Sequence, residues 1–472
     1  MMQRVISSIM LHETDPEQTP LRRGVGAVFG SLMIAAVVAA GFGIYGVITG
    51  IEAGRWRTDG AIIIERETGA HFVYRQGVLQ PVLNYASARL VSGSADAKLH
   101  RVASRSLADL PRNVTVGIPG APDSLPPPTR VVGTPWTMCT TLAPDDAGVL
   151  VTSTALLVGD RIQGGVVLGE RGLVVRDPAD DSRYLIWRSH RYRVVGKEPD
   201  RVIRSLYGFH VPVVDVGSAW LNGIPAGPDL GPPDVEGVRR WGRPSTALPA
   251  HDVGDLVYHP IADGRQHYLV LDHGLAPLTE LQMMLLRAEH AVELAEISSA
   301  EANRLPHDDL LAPVEGEAGP PPSPPNLLPT PADGRVTLCA ETLDAREPPR
   351  IAMGGDLSVL NAALPTVGQT REGTRLADLV LVPPGRVAVV RAVSSGTAEV
   401  GSFHLVTDVG VRYPVSSPEA LAALGYPPGL ATDIPAALVQ RIPAGPTLDF
   451  GTAMMPAPVS GVDSGESGSG EG

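Results

Sequence analysis

The stretch "HFVYRQGVLQPVLNYASARLV", His71 to Val91, holds the unit from which the chain is built. Apolar residues alternate along its first part, the signature of a strand with two unlike faces, and Gly77 supplies a tight turn. A proline, Pro81, then precedes a run with helix-like character. The same order recurs three times. It reads "RYLIWRSHRYRVVGKEPDRVIRSLYG" from Arg183, "HYLVLDHGLAPLTELQMMLLRAEH" from His267 and "SFHLVTDVGVRYPVSSPEALAALGY" from Ser402. Gly274 and Gly410 are the turn glycines of the last two. The Arg183 copy lacks one and carries Ser189 nearby. After Pro277 and Pro414 the apolar spacing is helical.

A second marker closes each unit: "GIPGAPDSL" from Gly117, "GIPAGPDL" from Gly223, the degraded "RLPHDDLL" from Arg304, and "IPAGPTLDF" from Ile442. The units are unevenly spaced, so this is no regular solenoid. Their extents are near 58–123, 170–233, 254–311 and 401–449. Two insertions, near 131–168 and 333–400, interrupt the series, and each carries one cysteine on a strand-like run: "PWTMCTT" and "RVTLCAE". Repeat, cysteine insertion, repeat, then the same again, is the order expected of an internal duplication with approximate twofold symmetry. "APVEGEAGPPPSPPNLLPTP", Ala312 to Pro331, joins the halves as a stiff, extended linker. The expectation is an α+β fold: an elongated domain over 55–455, with four strand-turn-helix repeats around a central β region. A disordered tail is expected over 456–472.

Upstream lies "GVGAVFGSLMIAAVVAAGFGIYGVITGI", Gly24 to Ile51, without a charged residue. Within it "GFGIYG", Gly41 to Gly46, satisfies G-x-G-x-x-G. That pattern signals a dinucleotide site only between a strand and a helix. Here the flanks are continuous apolar sequence, and a helix from Ala27 to Ile48 would span roughly 33 Å, one bilayer core. A transmembrane helix over 25–48 is therefore expected. Gly26 and Gly30, like Gly46 and Gly50, have the small-xxx-small spacing that brings helices close, and Gly43 joins them as a candidate packing residue. Arg22 and Arg23 stand directly before the span, so the positive-inside rule places residues 1–24 in the cytoplasm and everything after about Glu52 outside. A cleaved signal peptide is the alternative. The segment is long for one and begins some way into the chain.

The net charge of −13 disfavours sequence-independent nucleic-acid binding. Lys98 and Lys197 are the only lysines. Neither is followed by Ser or Thr, so the Walker-type ATPase signature is missing. No G-x-S-x-G elbow and no H-E-x-x-H occurs. His251, Asp252, Asp255, His259, Asp263, His267, Asp272 and His273 form the richest polar cluster. Alternation along a hairpin would scatter them, so no metal, no cofactor and no catalytic residue is expected. The arginine-rich "RYLIWRSHRYR" reads as an anionic binding face or as a solvated strand face whose arginine stems cover apolar surface. Cys139 and Cys339 are the only cysteines. In an exported domain such a pair usually forms a disulfide; two buried free thiols are the alternative.

The chain resembles EccB, the B component of the actinobacterial type VII (ESX) secretion membrane complex. The likeness is carried by "PLRR" at Pro20, "WRTDGAIIIERETGAHFVYRQGVLQPVLNYASARL" from Trp56, "SLADLPRNVTVGIPGAPDSLP" from Ser106, "WTMC" at Trp136, "TLCAE" at Thr337, "PPG" at Pro383 and "RYPV" at Arg412. It covers nearly the whole chain, although "MMQRVISSIMLHETDPEQTP" is shorter than the family's usual basic start. The resemblance implies a single-pass membrane protein with a periplasmic domain of four repeats and a Cys139–Cys339 disulfide. It implies assembly with EccC-, EccD- and EccE-like subunits and a mycosin protease, self-association, and wall-binding character in the repeats. The expected function is that of a structural subunit of the secretion complex. A membrane-anchored enzyme or wall-binding protein acting alone is the rival.

Overall fold

A computed structural model describes residues 20–50, 56–145, 147–233, 241–290, 292–312, 316, 318–331, 335–398 and 400–458. Residues 1–19 and most of the expected tail, 459–472, lie outside them.

Pro20–Gly50 is one α-helix. Its segment Gly24–Ile44 is long and apolar enough to cross a membrane and is packed against nothing else in the chain. "GFGIYG" therefore sits inside a helix and not in a strand-to-helix loop.

The remainder is organised by four sheets with one strand order. In the first, Ile62–Glu65 pairs antiparallel with His71–Arg75, which pairs antiparallel with Val78–Val82. The helix Tyr85–Ser92 crosses over and returns Leu99–Val102 parallel to the first strand. A parallel neighbour requires such a crossover. Leu173–Asp177, Ser182–Trp187, His190–Arg193 and Val214–Asp215 repeat the plan around the helix Pro199–Tyr207. Leu256–Ile261, Gly264–Val270, Leu275–Leu278 and Leu294–Glu296 do so around Glu280–His290. Val387–Val393, Gly401–Thr407, Arg412–Val415 and Thr432–Pro435 do so around Pro418–Ala423. The crossover helices of the first and fourth sheets start on side-chain caps: Asn84 accepts from the Ser87 N–H at 2.9 Å and Ser417 from the Ala420 N–H at 3.1 Å.

The hairpin turns come in two kinds. Gln76 and Gly77 both have positive φ (48° and 83°), as do Arg188 and Ser189 (43° and 63°). Two-residue hairpins need that geometry, and here non-glycine residues adopt it at three of four positions. The third and fourth sheets use four-residue turns. Gly410 has a positive φ of 73°, but Gly274, read as a turn glycine, is not among the positive-φ residues. It is required for a different reason: a Cβ there would lie 2.3 Å from the Pro306 carbonyl oxygen.

Pro306 belongs to the closing segment, which lies along the outer hairpin strand of each sheet. In all four, one hairpin residue donates its N–H to a proline carbonyl and accepts from the N–H two residues beyond that proline. The sets are Leu79 with Pro111 and Asn113, Arg191 with Pro225 and Gly227, Leu275 with Pro306 and Asp308, and Arg412 with Pro443 and Gly445. For the first sheet this corrects the sequence alignment. The equivalent of "IPAGPDL" is "LPRNVTV", Leu110 to Val116, and not "GIPGAPDSL" seven residues later. The glycine of "PAGP" makes room for a ring: a Cβ on Gly227 or Gly445 would lie 2.3 Å from Tyr192 or Tyr413.

Between the sheets lies a seven-stranded sheet in the order Leu364–Pro365, Leu379–Leu381, Leu150–Val158, Trp136–Pro144, Leu338–Thr342, Arg350–Met353, Val166–Val167. Its core residues Trp136, Met138, Leu156 and Ala340 pack with Trp220 and Ile224 beyond the second sheet and with Val390, Val406 and Ile442 of the fourth. The first and fourth sheets share a second core, where Ile62, Val73 and Leu90 meet Leu405, Leu421 and Tyr426. A third joins Val202, Ile203 and Leu206 of the second to Leu281 and Leu285 of the third. Along the chain the sheets run one, two, three, four; in packing they run one, four, centre, two, three.

The linker does not stand free. Gly172 donates to the Asn326 carbonyl at 2.8 Å and accepts from Leu328 at 2.9 Å, so the described linker residues lie along the second sheet. Pro456 and Ala457, assigned to the tail from sequence, are also held: Ala457 donates to the Thr115 carbonyl at 2.8 Å.

Candidate functional site

The two cysteines sit on neighbouring central strands. Trp136–Pro144 and Leu338–Thr342 pair antiparallel with Cys139 directly opposite Cys339, and the two form a disulfide with Cα atoms 4.0 Å apart. Both cysteines are buried. Met138 is buried, and its carbonyl accepts from the Trp220 indole at 3.0 Å, which satisfies the one polar atom of a fully buried ring. The bridge thus ties segments 200 residues apart at the middle of the molecule.

The described glycines of the helix have open surroundings. At Gly26, Gly30, Gly41 and Gly43 an added Cβ would meet nothing within 4 Å. Within this chain they pack against no one, and their exposed backbone is available to lipid or to another helix. Gly46 and Gly50 close the same helix, and Arg22 and Arg23 lie in its first turn.

Neither lysine lies on a phosphate-cradling loop. Lys98 precedes the strand Leu99–Val102, and the Lys197 ammonium is 2.7 Å from Glu289. The His/Asp cluster is spread over separate places. His251 faces Asp255 at 3.5 Å, His273 lies 3.3 Å from Asp272, and the His259 ring stacks on Tyr268 at 5.6 Å. Among the described residues no three of His, Cys, Asp and Glu gather as metal ligands would. In "RYLIWRSHRYR" two of the arginines are engaged with carboxylates. Arg183 reaches Asp200 at 3.0 Å, and Arg188 lies over the Trp187 ring at 4.6 Å while bonding Glu170 at 2.8 Å.

Two features were not found from sequence. Arg176 and Asp215, opposite each other on parallel strands of the second sheet, share two hydrogen bonds of 2.6 and 2.7 Å. Arg391 and Asp433 do the same in the fourth. Hydrogen bonding to Asp433 and Asp215 raises both guanidinium pKa values, and Arg391 holds Asp433 below the usual carboxylate range. The available signal was a lone arginine inside each apolar strand, "LVVRD" and "VAVVRAV". The second feature is a cavity of about 470 Å³ beside the second sheet, where the Arg176–Asp215 and Arg183–Asp200 pairs face Phe209, whose ring is 87 % exposed.

One apolar helix of bilayer length, four sheets of one topology and a disulfide-closed central sheet define a membrane-anchored modular protein. No constellation of nucleophile, base and metal accompanies them among the described residues. The chain belongs to the EccB family of type VII secretion: the family model described as "Type VII secretion system ESX-1, transport TM domain B" matches residues 1–458. Relatives include the protein named ESX-3 secretion system ATPase EccB3 of Mycolicibacterium smegmatis, 27 % identical over 96 % of this chain and 88 % of its own. The ESX-2 secretion system ATPase EccB2 of Mycobacterium tuberculosis is 29 % identical over 92 % of this chain and 88 % of its own. Among solved structures, a chain of the intact ESX-5 inner membrane complex is similar with TM-score 0.62 and 26 % identity, covering 98 % of this chain and 94 % of that one. An EccB3 dimer from the ESX-3 core complex shares the fold with TM-score 0.59 at 24 % identity over 84 % of this chain and all of that one.

Proposed function

We propose that this protein is a structural membrane subunit of a type VII secretion complex, with residues after about Glu52 forming part of its extracytoplasmic assembly. The observation that carries the reading is the extent of the likeness: the family match runs through anchor, sheets and closing segments alike, and the similar solved chain belongs to an inner membrane complex. Arg22 and Arg23 before the span favour a cytoplasmic N-terminus. The partners are EccC-, EccD- and EccE-like subunits and a mycosin protease, together with further copies of the chain. Wall contact through the repeat sheets is part of the same reading.

The four-fold recurrence of strand order and closing contacts supports descent from a duplicated pair of repeats. A twofold through the Cys139–Cys339 pair accounts for the packing order, because it exchanges sheet one with three and two with four. The outer central strands depart from it: Val166–Val167 runs antiparallel to its neighbour and Leu379–Leu381 parallel.

The relatives carry the word ATPase in their names. The lysine contexts here favour a scaffold without hydrolysis of its own. Purification of the tagged chain from membranes in mild detergent tests the assembly: co-purification of a large ATPase and a multi-span protein is expected, and recovery of the chain alone would overturn it. A reporter fluorescent only in the cytoplasm, fused after Gly472, should stay dark. ATP turnover by the purified domain that disappears when Lys98 and Lys197 are both replaced by Arg would refute the non-catalytic role.

A further inference from the structure

Besides the Arg176–Asp215 and Arg391–Asp433 pairs, the inner sheets differ from the outer ones at the hairpin position that meets the closing segment. The hairpin residue that bonds the closing proline is Leu79 in the first sheet and Leu275 in the third, both fully buried. In the second and fourth it is Arg191 and Arg412. The fold accepts leucine there, so arginine is not demanded by the hairpin. Both inner arginines turn the same way: Arg191 Nε donates to the Ile224 carbonyl at 3.3 Å and Arg412 Nε to the Ile442 carbonyl at 2.9 Å. Ile224 and Ile442 belong to one core, and a Cβ on Gly223, next to Ile224, would lie 3.8 Å from Leu438, in the helix that leads to Ile442, so the two guanidinium groups border the same seam.

Arg441, next to Ile442, adds a third. Only 6 % of it is exposed, and its head donates to the carbonyls of Ala437 at 3.1 Å and Arg375 at 2.7 Å. Arg412 and Arg191 stand close enough to push its pKa down further, after burial. His404, on the face that carries Arg412, is also buried and leaves Nδ1 without a partner. Among the described residues no carboxylate pairs with Arg191, Arg412 or Arg441. Buried charges of one sign without a counter-charge are costly, and protein interiors normally pair them. Each planar guanidinium retains N–H donors beyond those given to carbonyls, in the fork that suits an oxyanion. Arg191 and Arg412 are half-buried, which leaves the seam reachable from solvent.

We propose that the seam between the second and fourth sheets is an oxyanion-binding site, formed by Arg191, Arg412 and Arg441 and suited to a small polyvalent anion of the phosphate class. Such an anion would join the two inner sheets across the centre, near but independent of the disulfide.

Equilibrium dialysis of inorganic phosphate against the full-length chain in detergent tests this directly, with thermal unfolding in phosphate and in chloride at matched ionic strength beside it. Saturable phosphate binding and a higher melting temperature in phosphate are expected. The double variant R191L/R412L carries the residue the outer sheets use. It should remain folded and bind phosphate at least tenfold more weakly, with the melting temperature no longer dependent on the anion. Absence of saturable binding by the unaltered chain would overturn the site, whatever the variants do. Undiminished binding by R191L/R412L would overturn the assignment to these residues.

Discussion

Arg391 and Asp433 face each other across parallel strands, the guanidinium donating two hydrogen bonds of 2.6 Å to the carboxylate, and Arg176 and Asp215 repeat the arrangement in the second sheet. In each case the pair fixes the returning strand, which arrives only after a crossover and has few residues with which to set its own register. Asp433→Asn should therefore loosen Thr432–Pro435 and lower stability by about 1 kcal/mol, a modest figure because the pair is partly solvated. The pH dependence has a definite sign. Asp433 has a depressed folded pKa, chiefly through its bond to Arg391, so its contribution is present above the unfolded carboxylate value near about 4 and is lost as pH falls below it. Urea unfolding of parent and variant across that range should converge at the acid end.

The disulfide closes a loop of 200 residues, for which the chain-entropy relation gives about 5 kcal/mol. Cys139→Ser and Cys339→Ser should each lower the thermal midpoint, and the double variant should be no worse than either, since all three lose one bond. Mass mapping without reductant provides the direct check on protein taken from membranes. Two free thiols there would remove the bridge.

Gly43 meets no atom of its own chain where a side chain would grow. Gly43→Leu should consequently leave membrane insertion intact and weaken association with other subunits, read as loss of the high-mass complex on native gels. Unchanged assembly would make these glycines passive lipid-facing residues.

His404 is held neutral: burial, with Arg412 nearby, pushes its pKa down to about 4. A histidine depressed from about 6.5 contributes stability above that value and loses it as pH falls toward 4, on the order of 3 kcal/mol by the lower limit. The second and third sheets place Tyr184 and Tyr268 at the equivalent point, and the first places Phe72. His404→Phe should flatten the acid limb of the stability profile relative to the parent. A profile of unchanged slope would show that the imidazole is not what titrates.

The hairpins were legible because alternation, turn residues and capping are local, and His71–Arg75 and Gly401–Thr407 could be read without knowing their neighbours. The closing segments were legible only in part. "GIPGAPDSL" resembles its sister motifs in letters, yet the register is set by backbone groups of "LPRNVTV", which any residue could supply. Packing order was less accessible still. Ile62 meets Leu405, and Ile203 meets Leu281, through contacts between faces that each sheet hides in the same way. The arginine seam escaped notice for a related reason. Arg191 and Arg412 become exceptional only once the contact of each with its proline shows that their counterparts are leucines.

The partnership of Thr115 with Ala457, and of Gly117 with Met455, bears on the chronology of the chain's birth. The anchor and the first sheet leave the ribosome ahead of the other three sheets, yet the segment that closes the first sheet is bordered by residues made after all four. That border of the first sheet therefore lacks its neighbour while the second and third sheets and the central strands are laid down. A nascent chain stopped short of residue 455 would expose that edge however well its other parts had formed. Closure of the earliest-made sheet thus depends on residues that follow the latest-made one.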